Sequence, residues 1–576
     1  MSLRDRLRGA LVHPRLPWGL ALAALLVHAA SLGAGYLVDD HMHRSFARGE
    51  TIPGGPRGVW EMYRFADGGA GVRAAIDAGL HTWWTSRTLK LAFLRPIPSL
   101  VRFAEEKAFG DHAVFPHLVS VVVFVATVLV LHAAYRRWIG GAAAGLAALL
   151  FAVDDAHATT VTWIAARHSL LATLGVAASL ALHLRARDAR RVSYASGLFL
   201  LLGLLSSEAT LSALPVFAAV AAVSDPRPAR ARLVALAPIG AAVATWAVLY
   251  AALGCGASSS GYYVDPAEAP GRFARAAALR LPALASAQLL VPPSELASMQ
   301  PAIAGGLAVL GVLVLAGAGL LAWRSRARRL ALALHLAFVV SLLPACGTNA
   351  DDRLLMIPGI AAFPLVALLC RDGGRVLAGL VVAVHVVLAV VLAPVRSLFF
   401  ARSMGAFVAH GAATLYGLEG AAGRDIVLVT TPDGLLPTSM YLSRRNAGLP
   451  VARSTRILVT APGGEVTLTR EDAETISVTA TGGMMRDPFI GAVRDRPFHE
   501  GERSTTPALD VTVAEVGEDG APRRIVFRLR GPLERPDLAF VRWGPDGYAP
   551  FSLPPPGASM GLPAIDFADA LATRSK

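Results

Sequence analysis

The sequence predicts a polytopic α-helical membrane protein with a C-terminal mixed α/β, strand-rich domain. Three observations point there. The 576 residues are 54% hydrophobic and 16% charged, against about 45–50% and ~25% in a soluble globular chain. The apolar excess lies in runs of roughly 15 to 24 residues separated by Gly/Pro breaks and arginine clusters, and crossing a bilayer takes ~20 apolar residues as a helix. After residue 397 these runs stop and short alternating stretches between turn residues replace them.

Taken in order, about eleven stretches qualify as spans by this length rule. They lie near 16–37, 114–134, 139–153, 163–184, 192–206, 209–224, 233–254, 301–323, 330–346, 353–370 and 375–395. The first has no convincing A-x-A cleavage site after its apolar run and is too long for a signal-peptide core, so it reads as a retained helix. Basic clusters then fall on one side: Arg4/Arg6/Arg8/Arg15, Arg136/Arg137, Arg185/Arg187/Arg190/Arg191, Arg227/Arg230/Arg232, Arg324/Arg326/Arg328/Arg329 and Arg371/Arg375. Positive residues in short loops stay cytoplasmic. The expectation is a multi-pass protein of the plasma (inner) membrane, with its N-terminus inside and its C-terminal domain extracytoplasmic. The net charge of +13 is then a topology signal, and nucleic acid is not expected as a partner. Cys255, Cys346 and Cys370 make neither a disulfide framework nor a metal site.

Residues 1–397 thus read as the transmembrane domain. It has a first external loop over 38–113, with interfacial helices such as SLVRFAEEKAF, and a second over 255–300. Residues 398–576 read as the soluble domain. GRDIVLVTTPDG, TRILVTAPGGEVTLTRED, ALDVTVAEVGEDG, RRIVFRLRG and LAFVRWGPDG have strand character ended by turns. SMYLSRRNAGLP reads as a short helix with a glycine C-cap.

Ionisable residues gather at the predicted outer ends of the spans. Asp39, Asp40 and His41 follow the first in GYLVDDHMHR. Asp154, Asp155 and His157 follow the third in FAVDDAHATTVTWIAARH. Glu208 lies in LLSSEATLSALP, and Asp351, Asp352 and Arg353 lie in LLPACGTNADDRLLMIPG. Polar groups at membrane depth usually face a cavity or each other, so one shared external cavity is expected. There a carboxylate can take a proton from a hydroxyl and an arginine can hold a phosphate. A second carboxylate can raise the first one's pKa or hold a divalent cation. Trp83 and Trp84 read as interface anchors, and Gly141 and Gly145 as a close helix contact. A transporter or flippase of lipid-linked envelope precursors, and a non-catalytic scaffold with an external binding domain, are the rival readings.

The segments Leu94-Arg95-Pro96, Asp154 to Arg167, Ser206-Ser207-Glu208 with Pro215, and Asp352-Arg353-Leu354 to Pro358 occur in that order. In order and approximate spacing the series resembles the transmembrane-and-tetratricopeptide O-mannosyltransferases and their bacterial relatives over about 350 residues. That family reads Y/F-RPL, FALHPVHTEAVAWISGRAELLAALF, SKE…LP and ERYLYLPS. The resemblance implies a GT-C fold glycosyltransferase that moves a sugar, mannose in that family, from a polyprenyl-phosphate donor to a protein or glycan acceptor hydroxyl with inversion. It makes Asp39 the general base, with Asp40 supporting it or helping to bind a metal. Arg95 and Arg353 would hold the donor phosphate. His41, Asp154, Asp155, His157, Arg167, Glu208 and Asp352 would line the cavity. Asp154 stands where the family has a histidine, Thr159 where it has a glutamate and Ser207 where it has a lysine. The chain also has no tetratricopeptide array.

Overall fold

The computed structural model describes residues 3–418 and 420–572. The chain forms two compact units. One comprises Met1–Gly35, Phe93–Cys255 and Val264–Phe400; the other comprises Tyr36–Ala92, Gly256–Tyr263 and Ala401–Lys576.

The first unit is helical. Long apolar helices with few charges bury all their backbone polar groups internally, which is what lipid demands. Among the described residues seven helices are long and apolar enough to cross a membrane, or eight if Gly141–Val153 and Asp155–Thr162, bent by 43°, form one broken span. Of the predicted spans, 192–206 contains the helix Tyr194–Leu204 (11 residues) and 353–370 overlaps the helix Gly359–Asp372 (14 residues). Both are shorter than the ~20 residues of a straight crossing, and Glu208–Ser224 is likewise a shorter apolar helix. The last long helix, Gly374–Tyr416, runs past the predicted end at 395.

Small residues set the helix contacts. A Cβ on Gly145 would overlap the Leu11 carbonyl, one on Gly197 the Pro238 carbonyl, and one on Gly311 the Pro282 carbonyl. Without a hydrophobic effect between helices in lipid, such close backbone approach is the main source of packing energy. His28 is fully buried and meets the Phe124 ring edge-on at 4.6 Å. His385 Nε2 lies 3.1 Å from the Leu289 carbonyl. Both are packing residues, as their isolation in apolar runs suggests.

The second unit holds three sheets. A three-stranded antiparallel sheet places Lys90–Ala92 between Arg64–Asp67 and Gly256–Ser258. A six-stranded antiparallel sheet runs Ser559–Leu562, Val466–Arg470, Thr475–Ala480, Pro522–Leu529, Leu509–Val516, Arg503–Thr505. A four-stranded sheet runs Gly547–Pro550, Leu538–Gly544, Asp425–Thr431, Ser454–Thr460; its last three strands are parallel. Asp425–Thr431 is central and buried along nearly its whole length, the pattern of a strand covered on both faces. Leu509–Val516 alternates buried and half-buried at its start, as expected for a sheet with one wet face. The helix Leu436–Asn446 ends two residues before Gly448, whose φ of 69° fits the glycine stop read from NAGLP. Trp83 and Trp84 are core residues of this unit and not membrane anchors. They are 6% and 2% exposed, and the Trp83 indole donates to the Leu458 carbonyl at 2.9 Å.

Candidate functional site

The richest polar cluster of the first unit is built on one guanidinium. Arg396 Nη1 lies 2.9 Å from Asp155 Oδ2, its Nη2 pairs with Asp352 Oδ2, and Nη2 stands 3.7 Å from Glu295 Oε2. Each acid arrives on a local break in helical structure. The helix Gly141–Val153 stops because Asp154 turns extended, with ψ 125°, and Asp155 opens a short 3-10 turn. Asp352 starts a second 3-10 turn, whose cap is Asp351 accepting from the Arg353 amide at 3.0 Å. Asp352 Oδ1 also accepts from the amide and hydroxyl of Ser294, at 2.9 and 2.6 Å. Glu295 Oε1 takes the Asp352 amide at 3.1 Å. Burial first, then the charges of Asp352 and Asp351, hold the Glu295 carboxyl well above the usual range, against the pull of Arg396.

Asp154 and His157 form the adjoining layer. Asp154 Oδ2 accepts from Gln288 Nε2 at 3.0 Å and lies 3.6 Å from His157 Nε2. His157 is fully buried beside Phe151 and Phe124. Three carboxyl groups thus surround one guanidinium, with the Asp154 carboxyl in the adjoining layer. Buried charges need partners, so protons or a cation must balance the excess. Among the described residues no three His, Cys, Asp or Glu converge as a metal-ligand set.

Two further arginines sit on aromatic rings. Arg353 pairs with Asp351 at 3.0 Å and lies 5.3 Å over the Trp163 ring. Arg95 Nε meets Glu208 Oε2 at 2.9 Å and stacks 4.5 Å over Phe93. Each guanidinium is therefore oriented by a carboxylate and a ring face, which suits planar recognition of a phosphate. Arg167, 2% exposed, is turned inward: it binds Glu105, the Ser120 hydroxyl at 3.0 Å and the Pro116 carbonyl at 2.5 Å.

Asp39, Asp40 and His41 belong to the second unit. Asp39 and Asp40 begin the helix Asp39–Ala47, whose N-terminal dipole end favours negative charge. That placement answers the repulsion between adjacent acids. Asp40, fully buried, accepts from the Leu37 amide at 2.9 Å. Asp39 stays half-buried. Between them and the preceding chain stands Val38 at φ 32°, a conformation that is a genuine outlier for a β-branched residue. The His41 carbonyl accepts from Asn446 Nδ2 at 2.8 Å, and Arg44 lies 4.1 Å over Tyr36.

The first unit thus joins Asp155 and Asp352, and Arg95 and Glu208, pairs far apart in sequence. Arg396, Glu295, Gln288 and Ser294 were not among the predicted residues. Arg396 carried a readable signal, since VVLAPVRSLFF holds a lone cation inside a long apolar run. Ser294 and Glu295 lie in an unremarkable loop and offered none.

No family model and no curated protein matches the chain. Solved structures similar to it include ArnT from Cupriavidus metallidurans bound to undecaprenyl phosphate, at 15% identity and TM-score 0.30, over 76% of this chain and 89% of that one. They also include the Archaeoglobus fulgidus oligosaccharyltransferase tethered to an acceptor peptide, at 12% identity and TM-score 0.39, over 77% of this chain and 64% of that one. These likenesses are partial, and the functional reading rests on this chain's own residues.

Proposed function

We propose that the protein is a GT-C-type membrane glycosyltransferase that moves a sugar from a polyprenyl-phosphate donor to an acceptor hydroxyl at the external face. The observation that carries this reading is the collection of helix-end carboxylates around Arg396, flanked in the same unit by two arginines seated on aromatic rings. Structural ion pairs alone rarely concentrate more acid than base in a buried place, because each unbalanced charge is costly to desolvate. The ordered resemblance of 94–96, 154–167, 206–215 and 352–358 to the O-mannosyltransferases supports the same class and makes mannose the first sugar to test.

The resemblance to the O-mannosyltransferases makes Asp39, of the second unit, the residue that takes the proton of the acceptor hydroxyl. The oxygen attacks the anomeric carbon from the side opposite the lipid phosphate, and the C–O bond to that phosphate breaks with inversion. Arg95 and Arg353 bind the phosphate as its charge grows. Asp40, engaged by the Leu37 amide, fixes the turn that presents Asp39. Asp154, Asp155, His157, Glu208 and Asp352 shape the acidic pocket.

The test is transfer from radiolabelled polyprenyl-phosphate mannose in membranes holding equal amounts of wild type and Asp39→Asn. A general base contributes about 10²–10⁴-fold, so the variant should lose transfer by at least ~100-fold. Equal activity of the two proteins sinks the reading. Movement of the lipid-linked sugar with no new glycosidic bond would favour a flippase instead.

A further inference from the structure

Three loops of the first unit meet at the predicted cytoplasmic ends of its helices. Residues 136–140 close the span Val114–Trp138, residues 185–191 close Ile164–Asp188, and residues 224–232 run into Ala229–Ala252. Side chains build this junction. The Arg187 guanidinium donates to the Arg137 carbonyl at 2.7 Å, the Trp138 indole to the Ser224 hydroxyl at 3.0 Å, and Arg227 to the Arg191 carbonyl at 2.9 Å. Arg232 donates to the Arg227 carbonyl at 2.5 Å. Guanidinium groups here tie loop backbones together, and a neutral carbonyl does not cancel the charge they bring.

The three loops hold nine arginines and two aspartates. Both acids are already engaged, Asp188 by Arg137 at 3.0 Å and Arg187 at 2.7 Å, and Asp225 by Arg227 at 2.6 Å. Arg136, Arg185, Arg190, Arg191 and Arg230 are exposed, and their side chains make no ion pair or hydrogen bond with any other described residue. Arg190 stands at φ 54°, and the Arg191 amide bonds back to the Ala186 carbonyl at 2.8 Å. The helix therefore ends in a tight left-handed turn that carries both arginines. Like charges gathered in this way repel one another, and an anion relieves the repulsion.

The surroundings indicate which anion. Apolar surface continues from the cluster, with Tyr194 80% and Leu233 70% exposed and Leu198 and Val234 exposed beside them in sequence. Arg191 precedes the helix that carries Tyr194 and Leu198, and Arg230 lies in the first turn of the helix that carries Leu233 and Val234. These two helices touch where Gly197 meets the Pro238 carbonyl. At 11 residues, Tyr194–Leu204 is about 16 Å long, well short of the ~30 Å hydrocarbon core. A short apolar helix thins the bilayer around it or has its flanking residues reach for the headgroups. We propose that Arg190, Arg191 and Arg230, with this apolar surface, form a site for an anionic phospholipid. Its phosphate takes the guanidinium hydrogen bonds, and an acyl chain lies along Leu198 and Leu233. This inference needs only that these helices cross the bilayer, and it is independent of the transferase reading.

The test offers the full-length protein in neutral detergent equal amounts of phosphatidylglycerol and phosphatidylcholine with the same acyl chains, and counts bound lipids by native mass spectrometry. The wild type should retain phosphatidylglycerol about tenfold over phosphatidylcholine, since each arginine near a lipid surface adds to the attraction. Arg190→Gln, Arg191→Gln and Arg230→Gln together should abolish that preference. Arg324→Gln, Arg326→Gln and Arg375→Gln together remove the same charge from other loops and should leave it intact. Excess sn-glycerol 3-phosphate should not displace the lipid. Equal retention of the two lipids by the wild type overturns the proposal, and this result stands even where a variant folds poorly. An equal loss in both triple variants also overturns it, because general charge and no particular site would then be at work. Displacement by the free phosphate ester overturns it as well, in favour of a site for a soluble anion.

Discussion

Single residues carry much of the physics here. Val38 is held at φ 32° immediately before the acid pair, and strain of this kind costs roughly 1–3 kcal/mol and clusters where function requires it. Val38→Gly should therefore leave the unfolding temperature unchanged or higher while lowering sugar transfer, because the relaxed turn no longer fixes Asp39. Arg396 gives the complementary case. Removing one partner of a buried pair typically costs ~3–5 kcal/mol, so Arg396→Gln should lower thermal stability sharply. Asp352→Asn added to it should restore part of the loss; a double-mutant cycle with no coupling would contradict the network. In the second unit, Asp433 is buried with its Oδ1 on the Leu435 and Leu436 amides and its Oδ2 without a partner. Burial, then the neighbouring Asp487, pushes its carboxyl up to about 7, and burial pushes Asp487 up to about 6. A folded-state pKa above the unfolded one means that the stabilising contribution is whole below about pH 4 and falls as pH rises toward about 7, by ~1.4 kcal/mol per unit per proton. Asp433→Asn keeps an oxygen for both amides, so it should flatten this dependence and stabilise the unit at pH 7 in a denaturation series.

Among elements, the helices of the first unit meet through glycine and proline backbones. Gly145→Leu or Gly311→Leu should cut the yield of folded protein in detergent and lower its melting temperature, since each side chain would displace a neighbouring carbonyl. Gly240→Leu, with nothing within 4 Å of its Cβ position, should be tolerated. Elements also mark what the sequence made legible. Apolar runs announced the long helices, and Gly/Pro/Asp turns announced strands such as Asp425–Thr431 and Leu538–Gly544, because those signals are local. The strand Thr475–Ala480 went unnoticed in ETISVTATGG, whose hydroxyl-rich alternation is weak. The pairing of Lys90–Ala92 with Gly256–Ser258 was unreadable. Partners so far apart in the chain leave no local pattern, and for the same reason 38–113 read as one external loop of the membrane domain, although Tyr36–Ala92 helps build the sheet unit. Two acids of the Arg396 cluster, Asp155 and Asp352, were found as a type, at helix ends; Glu295 and the hub itself, just past the predicted end of the last span at 395, were passed over.

For the whole molecule, the distribution of arginines sets an expected orientation. In a cysteine-free background, Ala327→Cys should label with a membrane-impermeant maleimide only after permeabilisation, and Glu518→Cys should label on intact cells. The reverse pattern would turn the whole topology over. The unit with the sheets is assembled from three stretches of chain, Tyr36–Ala92, Gly256–Tyr263 and Ala401–Lys576. During synthesis the first stretch therefore waits for the last. At ~5–20 residues per second the ribosome needs on the order of 15–60 s to pass from residue 92 to residue 401. Through that interval Trp83, Trp84 and Leu89 have no partner sheet to cover them, and a chain cut short near residue 400 would keep them bare for good. Such a truncation is thus an orphaned half-domain, prone to capture by chaperones and proteases, and its loss of activity would say little about what the missing residues do.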